Sequence, residues 1–296
     1  MNRIIYILTL LSVALPLAAQ EPGKTVALPF SAFPLKVRDL AMGGAAVQEF
    51  IPSTHISATG GLYAPQGDKA FYTVLDGEYA MSEHLSFTLC GAYTSFQKYT
   101  IIDESGYSKG LHTPVNFRIH AGCGYRITDI LSIKARVGYI AENLAPESLA
   151  RALSTDFIGI ADLPISTSST VTVLAGIYNL GTKVKSASGN SFSIPSSARI
   201  GARYMDRIID KSLIELRLEA DYYLYGAVSA AAGAAYTYDE KYSFRAGYRY
   251  GDGLVIPSFW SVGLGIVIRG INLDISYLMG NKAINNTACI SLGYTF

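Results

Sequence analysis

Charge is scarce in this 296-residue chain: Asp, Glu, Lys and Arg make up 16% of it, and the formal net charge is +1. A nucleic-acid partner would want a basic excess or a basic stripe, and neither is present. Cysteine occurs three times, as Cys90, Cys123 and Cys289. No two of them have metal-ligand or redox spacing, so they read as small residues on strand faces, with no metal or cofactor implied. Beyond the N-terminus no apolar run approaches about 20 residues, which excludes helical membrane spans. Yet half of the residues are hydrophobic. A transmembrane barrel reconciles the two, because its apolar residues are spread over every second position.

What is abundant agrees. Gly (28) and Tyr (21) are frequent while Trp appears once, the mix expected of many strands with aromatic belts. At the N-terminus, Asn2 and Arg3 precede the apolar run Ile4 to Leu15, followed by the small residues Ala18 and Ala19. A basic start, a short apolar core and a small-residue exit predict a secretory signal peptide over residues 1–20. The expected organisation is then an inward or periplasmic segment over 21–40 and a barrel over 41–296.

The strands are read from period two. Ala288, Ile290, Leu292, Tyr294 and Phe296 alternate with small or polar residues, as do Trp260 to Ile268 and Ile271 to Met279. Leu292, Tyr294 and the terminal Phe296 form the aromatic-ended signal that barrel insertion machinery would read on the lipid face. Leu213 to Leu224 is the most informative segment: Ile214, Leu216, Leu218, Ala220, Tyr222 and Leu224 make one face, Glu215, Arg217, Glu219 and Asp221 the other. In a barrel the second face is the lumen. A soluble secreted β-protein would show the same alternation; the signal peptide and the terminal Phe separate the two.

A unit recurs: Tyr79 to Phe87, Tyr125 to Ile133 and Tyr236 to Phe244 each end a strand on an aromatic, turn at an acidic residue and restart with Ser and an apolar residue. These read as short periplasmic hairpin turns. Longer polar stretches over 98–113, 141–154, 182–196 and 250–257 read as loops on the opposite side, with a short helix allowed over Asn143 to Leu153. Counting strands back from Phe296 gives thirteen to residue 70. One more within 41–64 restores an even number, so the predicted fold is an all-β, transmembrane antiparallel β-barrel of about fourteen strands in a bacterial outer membrane.

The segment Leu35 to Ala45, and within it Arg38, Ala41, Met42, Gly43, Gly44 and Ala45, resembles the N-terminal motif of the PorV/PorQ family, whose members are similar to FadL-type fourteen-stranded barrels. Where that family often continues with Asn-Pro-Ala, this chain reads Phe50 to Ala58 without it. The resemblance implies a non-enzymatic barrel in protein secretion, associated with the type IX machinery, or in cell-surface assembly, with secretion-system or surface proteins as partners beside outer-membrane lipid. The alternative it leaves open is a FadL-like transporter or channel for small hydrophobic molecules.

The histidines, His55, His84, His112 and His120, form no obvious Ser-His-acid set on neighbouring strands, so no catalytic residue is assigned. The predicted lumen carries Arg118, His120, Lys134, Arg136, Glu215, Arg217, Glu219, Asp221, Arg245, Arg249 and Asp274. Such charges either line a polar pore or pair and plug the barrel. Pairing is favoured, because buried charges need partners and because the Ala- and Gly-rich run Val228 to Tyr236 leaves room for long side chains to reach across. No apolar pocket is evident in this lumen.

Overall fold

A computed structural model describes residues 25–63, 70–146, 148–185, 189–209, 211–280 and 284–296. The signal peptide expected over 1–20 lies outside the described residues. Fourteen strands form the barrel. They are β1 His55–Tyr63, β2 Ala70–Ala80, β3 Leu85–Ser95, β4 Val115–Arg126, β5 Leu131–Ala145, β6 Ser148–Pro164 and β7 Ser169–Gly181, then β8 Ser197–Ile209, β9 Ser212–Tyr223, β10 Val228–Tyr238, β11 Tyr242–Tyr250, β12 Phe259–Ile268, β13 Ile271–Gly280 and β14 Thr287–Thr295. Each pairs antiparallel with its sequence neighbours, and β1 closes on β14 from His55↔Thr295 to Leu62↔Ala288. Closure leaves no sheet edge, the condition for strands to stand in lipid.

Alternation sets which residue meets lipid. On β12, Trp260 and Leu264 are 62% and 57% exposed outward, while Ser261 between them is 2% exposed inward. Leu292, Tyr294 and Phe296 are all on the outer face, with the last two rings edge-on at 4.8 Å. Among the described residues no helix is long and apolar enough to cross a membrane.

The two ends differ. The links β2–β3, β4–β5 and β10–β11 are the short turns that the recurring unit predicts. The other end carries longer links, two with their own hairpins: Tyr99–Ile102 against Ser108–His112, and Val184–Lys185 against Ser191–Phe192. By the usual asymmetry of such barrels the short-turn end faces the periplasm.

Two expectations are corrected. The described residues of 141–154 are not a loop, and none of them is helical. They complete β5 and begin β6, paired Asn143↔Leu149 and Tyr139↔Leu153. Helix-favouring Ala and Glu are overridden by packing: Ala152 faces inward at 3% exposure against Leu28 and Ile140, while Leu149 and Leu153 face outward. The barrel also does not begin at 41. It begins at His55, and residues 25–54 thread the lumen. This inner segment starts at the long-loop end, where the Ala27 amide donates to the Ser193 carbonyl at 3.0 Å. It makes a 3-10 turn at Pro29–Ala32 and one turn of helix, α1, at Val37–Leu40. It ends near the short turns, where Phe50 packs beside Ile158 and Ile160.

Candidate functional site: the plugged lumen

The inner segment is seated by missing side chains on the wall. Gly233 and Gly247 face Met42, Gly263 faces Ala41, Gly201 faces Val47 and Gly124 faces Phe50, each so closely that a Cβ would overlap. The small inward residues around Val228 to Tyr236 therefore make room for main chain, not only for long side chains. Gly43 (φ 70°) and Gly44 (φ 78°) lie in the left-handed region. A Cβ on Gly43 would also stand 2.5 Å from the Tyr248 carbonyl oxygen. Leu40, Ala41, Met42 and Ala45 are fully buried. The motif from Arg38 to Ala45 is thus the centre of a plug.

Ion pairs on β8 to β11 hold it. Arg217, on β9, meets Asp39 of α1 at 2.7 Å and donates to the Ala45 carbonyl at 3.0 Å. Glu215 gathers Arg217 (2.7 Å), Arg203 (2.8 Å) and Arg38 of the plug (3.2 Å). Glu219 accepts from the Ala46 amide at 2.8 Å and pairs with Arg249 at 2.7 Å. Arg249 is completely buried, and it also donates to the carbonyls of Gly43 (2.9 Å) and Gly44 (3.0 Å). Asp221 binds Arg199 at 2.7 Å, and Arg245 pairs with Asp274 at 2.5 Å. Each guanidinium on this wall with a carboxylate in reach is a charge whose burial is compensated.

The opposite wall, β4 to β6, is built differently. Arg118 is 5% exposed and donates to the Ser31 and Phe33 carbonyls of the inner segment, with no carboxylate within ion-pair distance among the described residues. Lys134 lies over the Phe50 ring at 5.0 Å. Arg126 donates to the Phe50 carbonyl. Arg136 has the one ion pair on this wall among the described residues, to Asp156 at 2.8 Å. His120 faces inward beside them.

Beside the plug lies a cavity of about 610 Å³, lined by this wall and also by Arg199, Arg203, Arg217 and Arg245 of the other. Its lining runs from Ile51, Val267 and Thr295 at the short-turn end to Ser31, Asn179 and Ser197 nearer the long loops. Above it, the long-loop end is closed by an apolar cluster that includes Val37, Leu40, Tyr223, Ile256, Phe259 and Ile284. Beside this cluster, burial pushes the Tyr225 phenol well above its ordinary pKa, reinforced by its hydrogen bond to Asp252. Apolar surface does therefore enter the lumen, supplied by the plug and loops together with inward strand residues such as Val74, Tyr223 and Phe259.

All of the predicted lumen charges face inward, and the β9 set meets Arg249 as a network. Sequence reasoning missed Arg199 and Arg203, although they alternate with Ala198, Ile200, Ala202 and Tyr204 in the same way. It also missed Asp39 and Asp156, the acids that complete two of the pairs. One Ser-His-acid contact does occur: His55 touches Ser53 at 3.3 Å and Asp76 at 3.4 Å. Both contacts are long, and Asp76 is shared with Lys36 of the plug at 3.2 Å, so the group serves as another tether. Cys90, Cys123 and Cys289 are free thiols.

The closed fourteen-strand barrel with its inward charges and outward apolar band defines the class: a bacterial outer-membrane β-barrel of FadL-like architecture. No family model and no curated protein sequence matches the chain. Solved structures do. The toluene transporter TodX of P. putida aligns at a TM-score of 0.56 and 12% identity, over 87% of this chain and 97% of that one. The Ralstonia pickettii toluene transporter TbuX aligns at 0.53 and 11%, over 94% and 97%. At these identities the likeness is one of fold.

Proposed function

We propose that this protein is a plugged channel that admits small molecules through the outer membrane, without chemistry on them. The carrying observation is the cavity that runs beside the plug from the short-turn end toward the long loops. The transporters named above have the same architecture, which supports this reading over a role in protein secretion. The Arg38 to Ala45 motif favours it too, because its residues are engaged inside the barrel: Ala41, Met42, Gly43, Gly44 and Ala45 are buried, and Arg38 is tied to Glu215. A secretion partner approaching from outside would find none of that motif on the outer surface.

The test is planar-bilayer conductance together with swelling of liposomes in a small sugar. The expected result is a small conductance for the native protein that rises severalfold when Arg249→Leu loosens the plug. Silence in both assays, for both proteins, contradicts the channel reading.

A further inference from the structure

The cavity-facing wall carries polar groups that the plug does not use. His120 crosses Gly138, and Arg136 crosses Gly122: a Cβ on Gly138 would be 2.8 Å from His120 Nε2, and one on Gly122 would be 2.6 Å from Arg136 Cγ. The glycines let both side chains rest on the sheet, leaving the lumen above them open. Three polar atoms here are buried without a hydrogen-bond partner: His120 Nε2, Arg136 Nε and Ser154 Oγ. Ser154 is 2% exposed, and its Oγ converges with His120 Nε2 on the same point over Gly138, 2.9 Å from it. Buried polar atoms are normally satisfied, and a cluster of exceptions marks a place built for something else.

The charge there is positive. Lys134 and Arg118 have no carboxylate within ion-pair distance among the described residues, and Arg136 has only Asp156. Across the cavity, Asp76 is taken by Lys36 and His55. Glu78, next on the inward face of β2, forms no ion pair among the described residues and has a buried, unpartnered Oε1. Asp162 is a second competing acid, occupied by the Phe50 amide at 3.2 Å and the Thr172 hydroxyl at 2.8 Å. Beside the cations, Ile158 edges the same cavity, while Ile160 and Leu174 are packed in a cluster with Val47 and Phe50 of the plug.

From this juxtaposition we infer that the β4–β6 wall is a binding site for a compact organic anion, its charge on Lys134, Arg136 and His120 and its apolar edge against Ile158. The inference deepens the channel reading by naming the class of solute, and it rests on that reading for its purpose but not for its test. A charge-assisted contact replaces water at groups that are already desolvated, so it discriminates strongly between an anion and its neutral isostere.

Equilibrium dialysis of the full-length protein in detergent, with benzoate and its neutral isostere benzamide as probes, decides it. Benzoate is expected to bind at least about tenfold tighter than benzamide, the scale of one charge-assisted hydrogen bond. Lys134→Met should abolish the preference, and Glu78→Gln should strengthen it severalfold. Heat-modifiable migration on gels confirms that each variant is a folded barrel. Equal binding of the two probes, or a preference that survives Lys134→Met, overturns the site. If benzoate binds selectively while bilayers stay silent, the site stands and the channel reading falls. If conductance is present and the probes bind alike, the channel stands and the site falls.

Discussion

The two walls of this lumen solve the same electrostatic problem in opposite ways. On β8 to β11, arginines meet carboxylates from the wall and from the inner segment, and the pairs fix main chain at Gly43, Gly44, Ala45 and Ala46. On β4 to β6, Arg118 and Arg126 are satisfied by carbonyls, Lys134 by a ring, and polar atoms are left over. Buried pairs rigidify when every member is satisfied. The first wall is therefore an anchor, and the second faces open space. A barrel can carry both because its inward faces are independent: the strand ladder holds each wall whether or not its charges are paired.

The comparison is broken most severely on the anchor side. Arg249→Leu leaves Glu219 short of a partner and frees two plug carbonyls, so a loss of about 3–5 kcal/mol is expected, measured by urea unfolding in lipid vesicles. Gly43→Ala strikes the same contact from the plug. Its left-handed φ and the Tyr248 carbonyl make about 2–3 kcal/mol the expected loss, by the same assay. Arg118→Met on the opposite wall takes a donor from two carbonyls but removes a buried charge that has no counter-ion among the described residues, so about 1–2 kcal/mol is expected. Lys134→Met sharpens the contrast most. It should change stability by less than about 1 kcal/mol, since only a ring contact is lost, while changing anion binding as described above.

Much of this was legible in the chain. Period two over Leu213 to Leu224 placed Glu215, Arg217, Glu219 and Asp221 on the lumen, and the terminal alternation placed Leu292, Tyr294 and Phe296 toward lipid. The same rule applied to 197–209 would have found Arg199 and Arg203. The reach of Arg249 to Glu219 was legible as well, since both stand in register with Ala231 of the small-residue run Val228 to Tyr236. Other features lay beyond local pattern. Asp39 pairs with Arg217 across 178 positions of sequence, a contact set by the path of the plug. Residues 141–154 misread as a loop because their strand character comes from Leu28 packing on Ala152, and Leu28 belongs to a segment with no strand signal. Adjacent glycines at 43–44 allow close backbone approach, but what they approach, the Tyr248 backbone and the Arg249 guanidinium, is set by the path of the plug.

The central claim is that residues 42–46, the centre of the plug, are locked by the paired wall and not by the other. Amide hydrogen exchange of residues 42–46, followed by mass spectrometry on the protein in detergent, tests it most directly. In the native protein these amides are expected to exchange as slowly as those of the barrel strands. In Arg249→Leu they should exchange orders of magnitude faster, and in Lys134→Met they should be unchanged. Fast exchange in the native protein, or equal acceleration by both substitutions, would contradict the account.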